Sequence, residues 1–521
     1  MNKLVCKLAA LSFVFGLSVN SFPNTILAKE PVEGGVFVVG TGSEPETFNP
    51  DAAPNDPAKA VIENVMNKLV KINGNSQIVP DLAESWEFSE DGKVLTFHLF
   101  KDVKWHDGQD FSAEDVKWTF DQIISEEGFA ASSLTSLEEV EVIDKDTVAF
   151  HLSEPDASIL GTIAWHGTQI MPKHIYEGTD WLTNEANMHP IGTGPFKFVE
   201  FVPGESIRME ANKDYFKEGP YLDEVILEVK PDAQVAQLAF ENGEIDENRW
   251  GVAKDQIEKF EKDEEYTVTD VSWPNMASLV FNMEEGAFTD PLIREAVMYG
   301  IDSQEIFDKI YFGQGSLAEY YIPYQYDWAI NEEAKVMKRD VAKAIELLEE
   351  AGLEKDEEGY YLEATMVTYP GWTQVVTILQ SNLAEIGIKL NHEDLDDGTY
   401  DERVLEQKDF DITALGGYIG PDITAIENRF GTGKSMNYGL YSNAEVDKVV
   451  EEGRRETDQT KRADIYKNIQ TILQEEMPIV PIWNMGGKLV TKSYVKGHPM
   501  ADEASREING EIEFTNIWLD K

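Results

Sequence analysis

The stretch VPDLAESWEFSEDGKVLTFHLFKDVKWHDGQDFSAEDVKWTF, residues 79–120, carries the strongest structural signals in the chain. Within it Leu95, Phe97 and Leu99 alternate with polar residues. A hydrophobic period of two is typical of a β-strand with one buried face. The sequence therefore predicts a strand here, followed by a polar turn and then a helix.

The predicted helix has a marked start. Ser112 is a good N-cap residue, and Asp115 three positions later completes an acidic variant of the capping box. Phe111 before the cap and Val116 after it have the spacing of a hydrophobic staple. Apolar residues then recur at helical spacing as far as Ile124. The pattern predicts a strand, a turn and a capped helix.

His106 lies in the predicted turn beside Asp107, which raises the question of a metal or catalytic site. A metal site needs further ligands at a usable spacing. The nearest histidines are His98, on the predicted strand, and His151, in a separate segment. We therefore expect a structural role for His106.

With 521 residues the chain exceeds what one hydrophobic core usually organises, and domains of roughly 150 residues suggest about three units. Lys and Arg number 44 against 97 Asp and Glu, so the formal net charge is −53. Such a chain repels nucleic-acid phosphates and anionic lipid headgroups, which excludes nucleic acid as a partner. A solvated acidic surface is the simplest explanation of this charge, and a calcium-binding shell is the alternative.

The N-terminus predicts a secretory signal peptide over residues 1–28. Lys3 and Lys7 precede an apolar run at residues 8–19, and the pattern places the cleavage site after Ala28. The run is short for a membrane span, and an uncleaved anchor is the alternative.

Signals for enzymatic or metal chemistry are weak. The sole cysteine, Cys6, precedes the apolar run, so the mature chain has no thiol for a disulfide, a zinc site or a nucleophile. The Gly-Lys-Ser at 433–435 resembles a phosphate-binding loop, but Asn428 stands where the first glycine belongs. The acidic stretch 394–402 has the wrong glycine spacing for a calcium loop. Paired carboxylates of a hydrolase stay open, since their pairing is spatial.

Strands and helices are predicted to alternate along the rest of the chain. Two extended segments look like crossings between lobes: VSWPNMASLVFNM around Pro274 and MPIVPIWNMGGKLV around Gly486. A lobe between these crossings, residues 275–485, would be an insertion in a first lobe to which the C-terminal strands return.

Six stretches together resemble the extracellular solute-binding proteins of family 5, the dipeptide and oligopeptide class that feeds ABC importers. The resemblance covers nearly all of the mature chain, and residues 79–120 are its most specific part. The other stretches are GSEPETFNPDAA (42–53), IGTGPFKFVEF (191–201), FTDPLIREAVMYGID (288–302), NYGLYSNAEVD (437–447) and MPIVPIW (477–483).

This resemblance implies an α/β fold. The expected architecture is two-lobed and periplasmic-binding-protein-like, of type II, with an extra domain inserted in the first lobe. The implied units are a first lobe at 29–60, 190–274 and 486–521, an inserted domain at 61–189, and a second lobe at 275–485.

The resemblance also implies a function, which is to capture peptides between two hinged lobes and deliver them to the permease subunits of an ABC importer. Such a protein is not an enzyme, has no catalytic residues, and needs neither a cofactor nor a metal. It is expected to be a monomer in the periplasm or at the cell surface. The alternatives are an oligosaccharide or nickel complex as the solute, or a secreted hydrolase. The absence of histidine between residues 393 and 497 disfavours nickel.

The ligand site is expected in the cleft between the lobes. Peptide-binding members of the family hold the ligand ammonium with an Asp in the second lobe, and Tyr418 stands at that position here. Asp422, in the same stretch LGGYIGPDITAI, is a candidate substitute, and a helix cap is the equally open alternative. Other candidate ligand-binding residues are Ser43, Glu44, Trp165, His166, Trp372, Trp483 and Asn484.

Overall fold

The computed structural model describes residues 30–521 except 53–54, 74–76, 126–129, 166, 250, 418–419, 421 and 502–512. Within this range Val32–Lys521 form a single unit. The predicted signal peptide, residues 1–28, lies outside the described residues and stays a prediction.

Strands and helices alternate along the described chain, as the sequence pattern predicts. The strands are β1 (Val36–Thr41), β2 (Val70–Ile72), β3 (Ile78–Pro80), β4 (Ala83–Phe88), β5 (Val94–Leu99), β6 (Leu137–Asp144), β7 (Thr147–Leu152), β8 (Phe196–Val202), β9 (Ser206–Ala211), β10 (Glu224–Val229), β11 (Glu247–Asn248), β12 (Tyr266–Phe281), β13 (Ser316–Leu317), β14 (Leu362–Thr368), β15 (Ile388–Asp394), β16 (Ile412–Leu415), β17 (Ile479–Lys492), β18 (Val495–Lys496) and β19 (Trp518–Leu519). The α-helices are α1 (Asp56–Val65), α2 (Ala113–Ser125), α3 (Ile159–Ile163), α4 (Lys173–Tyr176), α5 (Ala233–Asn242), α6 (Ile257–Glu261), α7 (Pro291–Gly300), α8 (Ser303–Ile310), α9 (Val341–Glu350), α10 (Thr373–Glu385), α11 (Asp397–Tyr400), α12 (Ile426–Phe430), α13 (Ala444–Arg455) and α14 (Gln459–Glu476).

One large sheet contains many of these strands, in the order β15-β14-β16-β12-β17-β11-β1-β10-β9-β8, with β13 paired to β17. Its central pair, β12 and β17, is antiparallel, and its register shifts between Ser272 and Met276. β1 runs parallel to its neighbours β10 and β11, and β14 runs parallel to β15 and β16. The two segments predicted as crossings are therefore paired strands at the centre of the sheet.

The buried hydrophobic residues form two large cores. The first core is built mainly from elements before β12 and from the C-terminal β18 and β19, and the second core from β12, β17 and the elements between them. Val271 belongs to the first core and Met276 to the second, although both lie on β12. The β12 strand thus passes directly from one core into the other.

The stretch at residues 79–120 folds as its sequence predicts. β4 and β5 pair within a four-stranded sheet of order β4-β5-β7-β6, and α2 begins at Ala113. The Ser112 hydroxyl accepts a hydrogen bond from the Glu114 backbone N–H (3.3 Å), and the Asp115 carboxylate accepts one from the Ser112 N–H (3.0 Å). These contacts confirm the predicted capping box.

His106 connects the turn after β5 to the IGTGPF segment. Its backbone N–H donates to the Gly192 carbonyl (2.9 Å), and its Nδ1 accepts from the Gly192 N–H (3.3 Å). Its Nε2–H then donates to the Gly194 carbonyl (3.0 Å). A Cβ on Gly192 would lie 1.8 Å from the Val65 carbonyl oxygen, so a larger residue does not fit against the end of α1. The turn that carries His106 is scaffold.

A fall in pH should weaken the contacts that His106 makes with Gly192 and Gly194. Burial lowers the pKa of His106 to about 4, whereas an unfolded histidine titrates near pH 6.5. Between these values the unfolded chain binds the extra proton, so the His106 contribution to stability is lost as the pH falls from about 6.5 to about 4. We expect His106→Gln to lose less unfolding free energy than the wild type between pH 7 and pH 5, measured by urea denaturation. An equal loss in both proteins would contradict this role.

Candidate functional site

Trp483 and Asn484 lie next to each other on β17. The Trp483 ring stacks on Tyr311, with ring centres 3.6 Å apart and planes 8° from parallel. Its indole N–H donates to the Gln314 carbonyl (2.7 Å). Gly315 has a φ of +84°, and a Cβ there would lie 2.6 Å from the indole nitrogen. Stacking, a hydrogen bond and close backbone packing therefore hold the tryptophan in one orientation.

Two further aromatic residues follow β14. Trp372, which is 7% exposed, precedes α10, and its ring centre lies 6.1 Å from that of Tyr369. The Tyr369 hydroxyl lies beside Gly416, where a Cβ would be 3.2 Å away. Burial and, secondly, the Tyr369 phenol raise the pKa of Tyr311 to about 12. Tyr311 and Tyr369 both pack against the second core, which contains Trp372 and Trp483. We call Tyr311, Tyr369, Trp372 and Trp483 the aromatic wall.

Asp422 is fully engaged within the protein. Its carboxylate accepts from the Thr424 N–H (2.8 Å) and hydroxyl (2.6 Å), as the N-cap of the 3₁₀-helix Ile423–Ala425. Arg462 donates to both of its oxygens. Burial alone would raise the pKa of Asp422, but the Arg462 charge and its hydrogen bonds outweigh burial and lower it. The carboxylate is thus paired within the chain and caps a helix.

A cavity of about 440 Å³ lies between the two cores. Ile78 and Phe88 line it from the first core, and Trp328 and Asp422 line it from the other side. This volume is in the usual range for small-ligand sites. Gly416, which abuts Tyr369, lies six positions before Asp422, which lines the cavity.

A polar contact joins the two halves of the chain beside this cavity. The Glu154 carboxylate pairs with Arg454 (3.2 Å) and with Arg455 (2.7 Å). The backbone N–H of Ala157, which lines the cavity, donates to the Arg454 carbonyl (2.8 Å). Helix α13 is therefore fixed to the segment that precedes α3.

The other predicted site residues are distributed over both halves. Ser43 and Glu44 are exposed just after β1, and the Glu44 carboxylate accepts a backbone N–H from the turn after β8 (2.6 Å). Trp165 follows α3 and packs against the first core. Asn484 donates from Nδ2 to the backbone of β13 (3.2 Å), and among the described residues its buried Oδ1 has no partner.

The structure thus brings Trp372 and Trp483 into one aromatic wall and places Asp422 at the cavity. Ser43, Glu44 and Trp165 are placed apart from this wall, on elements of the first half. His166 and Tyr418 lie outside the described residues. A ligand-binding role for each of these residues stays a prediction.

Sequence reasoning did not single out Tyr311, Tyr369 or Arg462. Tyr311 ends α8 and Tyr369 follows β14, so neither belongs to a periodic pattern. The position of Tyr369 directly after β14 was a usable signal, because ligands of α/β sheets bind beyond the carboxyl ends of the strands. Arg462 meets Asp422 through folding alone, and no local signal connects them.

Among the described residues, no three His, Cys, Asp or Glu side chains lie close enough together to hold a metal ion. No helix in the part of the chain that the structure describes is long and apolar enough to cross a membrane.

Comparison with known proteins decides the family. Residues 77–436 match the family model of bacterial extracellular solute-binding proteins, family 5, middle region. The chain belongs to this family. It is 30% identical to the oligopeptide-binding protein AppA of Bacillus subtilis over 502 residues, which cover 91% of each protein.

Solved structures show the same fold. The substrate-binding protein CtaP of Listeria monocytogenes has a TM-score of 0.84 at 26% identity, over 94% of this chain and 100% of that one. AppA of Bacillus subtilis, solved with a nonapeptide, has a TM-score of 0.72 at 26% identity, over 94% and 100%. The family 5 protein thus has the predicted α/β periplasmic-binding-protein fold. The boundaries of its three predicted units stay predictions.

The Asp422–Arg462 pair leads to a stability test. Asp422→Ala leaves a buried guanidinium without its acid, which should cost about 3–5 kcal/mol of unfolding free energy. The double variant Asp422→Ala, Arg462→Met removes both charges and should recover most of that loss. Urea denaturation of the three proteins measures both effects. A single variant as stable as the wild type would show that the pair is not a buried, coupled one.

Proposed function

We propose that this family 5 protein captures peptides between two hinged lobes and delivers them to the permease subunits of an ABC importer. The observation that carries the proposal is the cavity between the two cores, together with the aromatic wall on the second core. Family membership supports it, as does the name of AppA of Bacillus subtilis, an oligopeptide-binding protein whose solved structure contains a nonapeptide.

The central strands supply a physical basis for hinged closure. β12 and β17 connect the two cores, and their register shifts between Ser272 and Met276, where one core gives way to the other. Bending at this junction changes the width of the cavity and leaves each core intact. A peptide that contacts both sides stabilises the closed form, which the importer then distinguishes from the open form.

An aromatic wall suits a ligand whose side chains vary. Flat rings contact apolar and polar side chains over large areas without demanding one shape, while hydrogen bonds to the peptide backbone supply orientation. Capture and release need no bond to be made or broken. We therefore propose a binding protein without catalytic residues or cofactor, which acts as a monomer and does not bind nucleic acid.

The working location follows from the same proposal. The family consists of extracellular solute-binding proteins, and the signal peptide predicted at residues 1–28 would direct export. The mature chain, beginning at Lys29, would act in the periplasm or at the cell surface.

Peptide binding to the mature protein tests the proposal directly. A ligand that binds only the folded state stabilises it by about 2.7 kcal/mol at a concentration 100 times Kd, and the melting temperature rises as a result. We expect one or more peptides from a panel of two to nine residues to raise the melting temperature and to bind with a stoichiometry of one per chain. Mass spectrometry should then recover the bound peptide uncleaved. Cleavage of the peptides would favour a secreted hydrolase, and the absence of any shift would refute peptide capture.

The aromatic wall can be tested by a matched pair of variants. Tyr311→Leu removes the ring on which Trp483 stacks, and peptide affinity should fall by about two- to tenfold, the equivalent of one aromatic contact. Phe312→Leu changes the next residue, which is 58% exposed, and should leave affinity unchanged. Isothermal titration calorimetry measures both. Equal affinities for all three proteins would exclude the wall from the peptide site.

A further inference from the structure

A charged contact joins the two halves of the chain away from the central strands. The Glu154 carboxylate, in the segment between β7 and α3, accepts one hydrogen bond on each oxygen, from Arg454 (3.2 Å) and from Arg455 (2.7 Å). Both arginines lie in the last turn of α13. Helix α3 and strand β7 pack in the first core, whereas α13 packs in the second. The contact therefore bridges two cores that β12 and β17 connect at another place.

The segments on the two sides of this contact continue directly into the walls of the cavity of about 440 Å³. Ala157 and Leu160 line the cavity from the first half, and Thr457 and Gln459 line it from the second half. The carboxylate and the two arginines each lie only a few positions before these wall residues. A ligand that draws the two walls together therefore also brings the carboxylate to the arginines.

The contact can form and break at low cost. The exposed fraction of the side chain is 34% for Glu154, 27% for Arg454 and 48% for Arg455, so water can hydrate each group when they separate. Arg455 also pairs with Glu451 on the same helix (2.8 Å) and keeps that acid when Glu154 leaves. A fully buried pair would instead leave an uncompensated charge on opening. This contact thus has the properties of a reversible one.

The two halves also meet at the aromatic wall. The Lys254 ammonium, from the 3₁₀-helix Lys254–Gln256 before β12, lies 5.4 Å from the ring centre of Tyr311. A cation over an aromatic ring is attracted by the negative face of the ring. Charged side chains of the first half therefore contact the second half at two places besides the central strands, which is the arrangement expected of a closed cleft.

We propose that Glu154, Arg454 and Arg455 form an electrostatic latch, which favours the closed form of the cleft and raises peptide affinity without touching the peptide. The inference rests on the proposed peptide-binding function. A contact made only in the closed form adds to the free energy of closing, and the apparent affinity rises with the share of molecules that are closed. The latch also gives the predicted inserted domain at 61–189 a part in capture, because Glu154 lies within that range.

Removal of the carboxylate tests the latch. Glu154→Gln keeps the size of the side chain and removes its charge, and peptide affinity should fall about 2- to 10-fold, because exposed ion pairs are individually weak and two are lost. The probe is the peptide of the two- to nine-residue panel that binds the wild type most tightly, titrated calorimetrically. The control is Glu200→Gln, which changes the net charge equally but removes an acid paired with Arg208 inside the first half, and it should bind like the wild type.

A double-mutant cycle and salt separate the latch from a general charge effect. The variant Arg454→Gln, Arg455→Gln should lose about as much affinity as Glu154→Gln, and the combination of all three changes should cost little more, because the contact can be lost only once. Dissolved salt screens exposed ion pairs. Between about 0.05 M and about 0.5 M NaCl, the affinity of the wild type should therefore fall more steeply than that of Glu154→Gln.

Spin labels measure opening directly. A mature chain that begins at Lys29 has no native cysteine, so Ile143→Cys and Lys448→Cys introduce two unique labelling sites, 54% and 73% exposed, one on each half. Pulsed electron paramagnetic resonance of the peptide-free protein should show a larger share of open molecules when Glu154→Gln is added. Opening leaves each core intact, so the melting temperature without peptide should stay close to that of the wild type.

Four outcomes would overturn the latch. They are unchanged affinity in Glu154→Gln, an equal loss in Glu200→Gln, additive losses in the cycle with an unchanged salt dependence, and a lower melting temperature with unchanged label distances, which would assign the contact a structural role. Failure of the wild type to bind any panel peptide would overturn the peptide function instead. The label distances of the peptide-free protein would still test the latch, so the two failures are distinguishable.

Discussion

The antiparallel pairing of β12 with β17 is the interaction on which the rest of the structure depends. Both strands continue from one hydrophobic core to the other. Their backbone hydrogen bonds therefore join the strands of both cores into one sheet. Each core alone resists deformation because its side chains are closely packed. The ladder is irregular between Ser272 and Met276, where the cores meet, and bending is least costly at such a place. The same pair therefore supplies both the connection and the hinge.

Residues of these two strands position the candidate site. Trp483 belongs to β17 itself, and Asn275 of β12 accepts the hydrogen bond that holds Gly417. The Tyr311 stack and the close approach of Gly315 fix the indole without help from the first core. The aromatic wall can thus keep its shape while the distance to the first core changes. A preformed wall on one side lowers the entropic cost of binding, because few side chains need to be ordered when a ligand arrives.

Sequence reasoning reached the fold through local patterns and reached the site in part. The alternation around Phe97 and the cap at Ser112 are determined by neighbouring residues, and they were predictable for that reason. The family motifs then identified the architecture as a whole. Trp372 and Trp483 were recognisable as candidates, but their shared wall depends on Tyr369 and on contacts between distant segments. The partner of Asp422 was not predictable, because no periodicity connects it to a helix 40 positions further on.

The charges buried near the candidate site do not follow the net charge of the chain. A formal charge of −53 suggests a cleft that attracts cations. Exposed carboxylates are nevertheless screened by dissolved salt over about 8–10 Å at physiological ionic strength, and buried groups are governed by their immediate partners. Asp422 has such a partner, and Arg429 has none among the described residues. The net charge therefore does not predict which charge a ligand group must carry to bind at the cavity, because the buried pairs around it decide that locally.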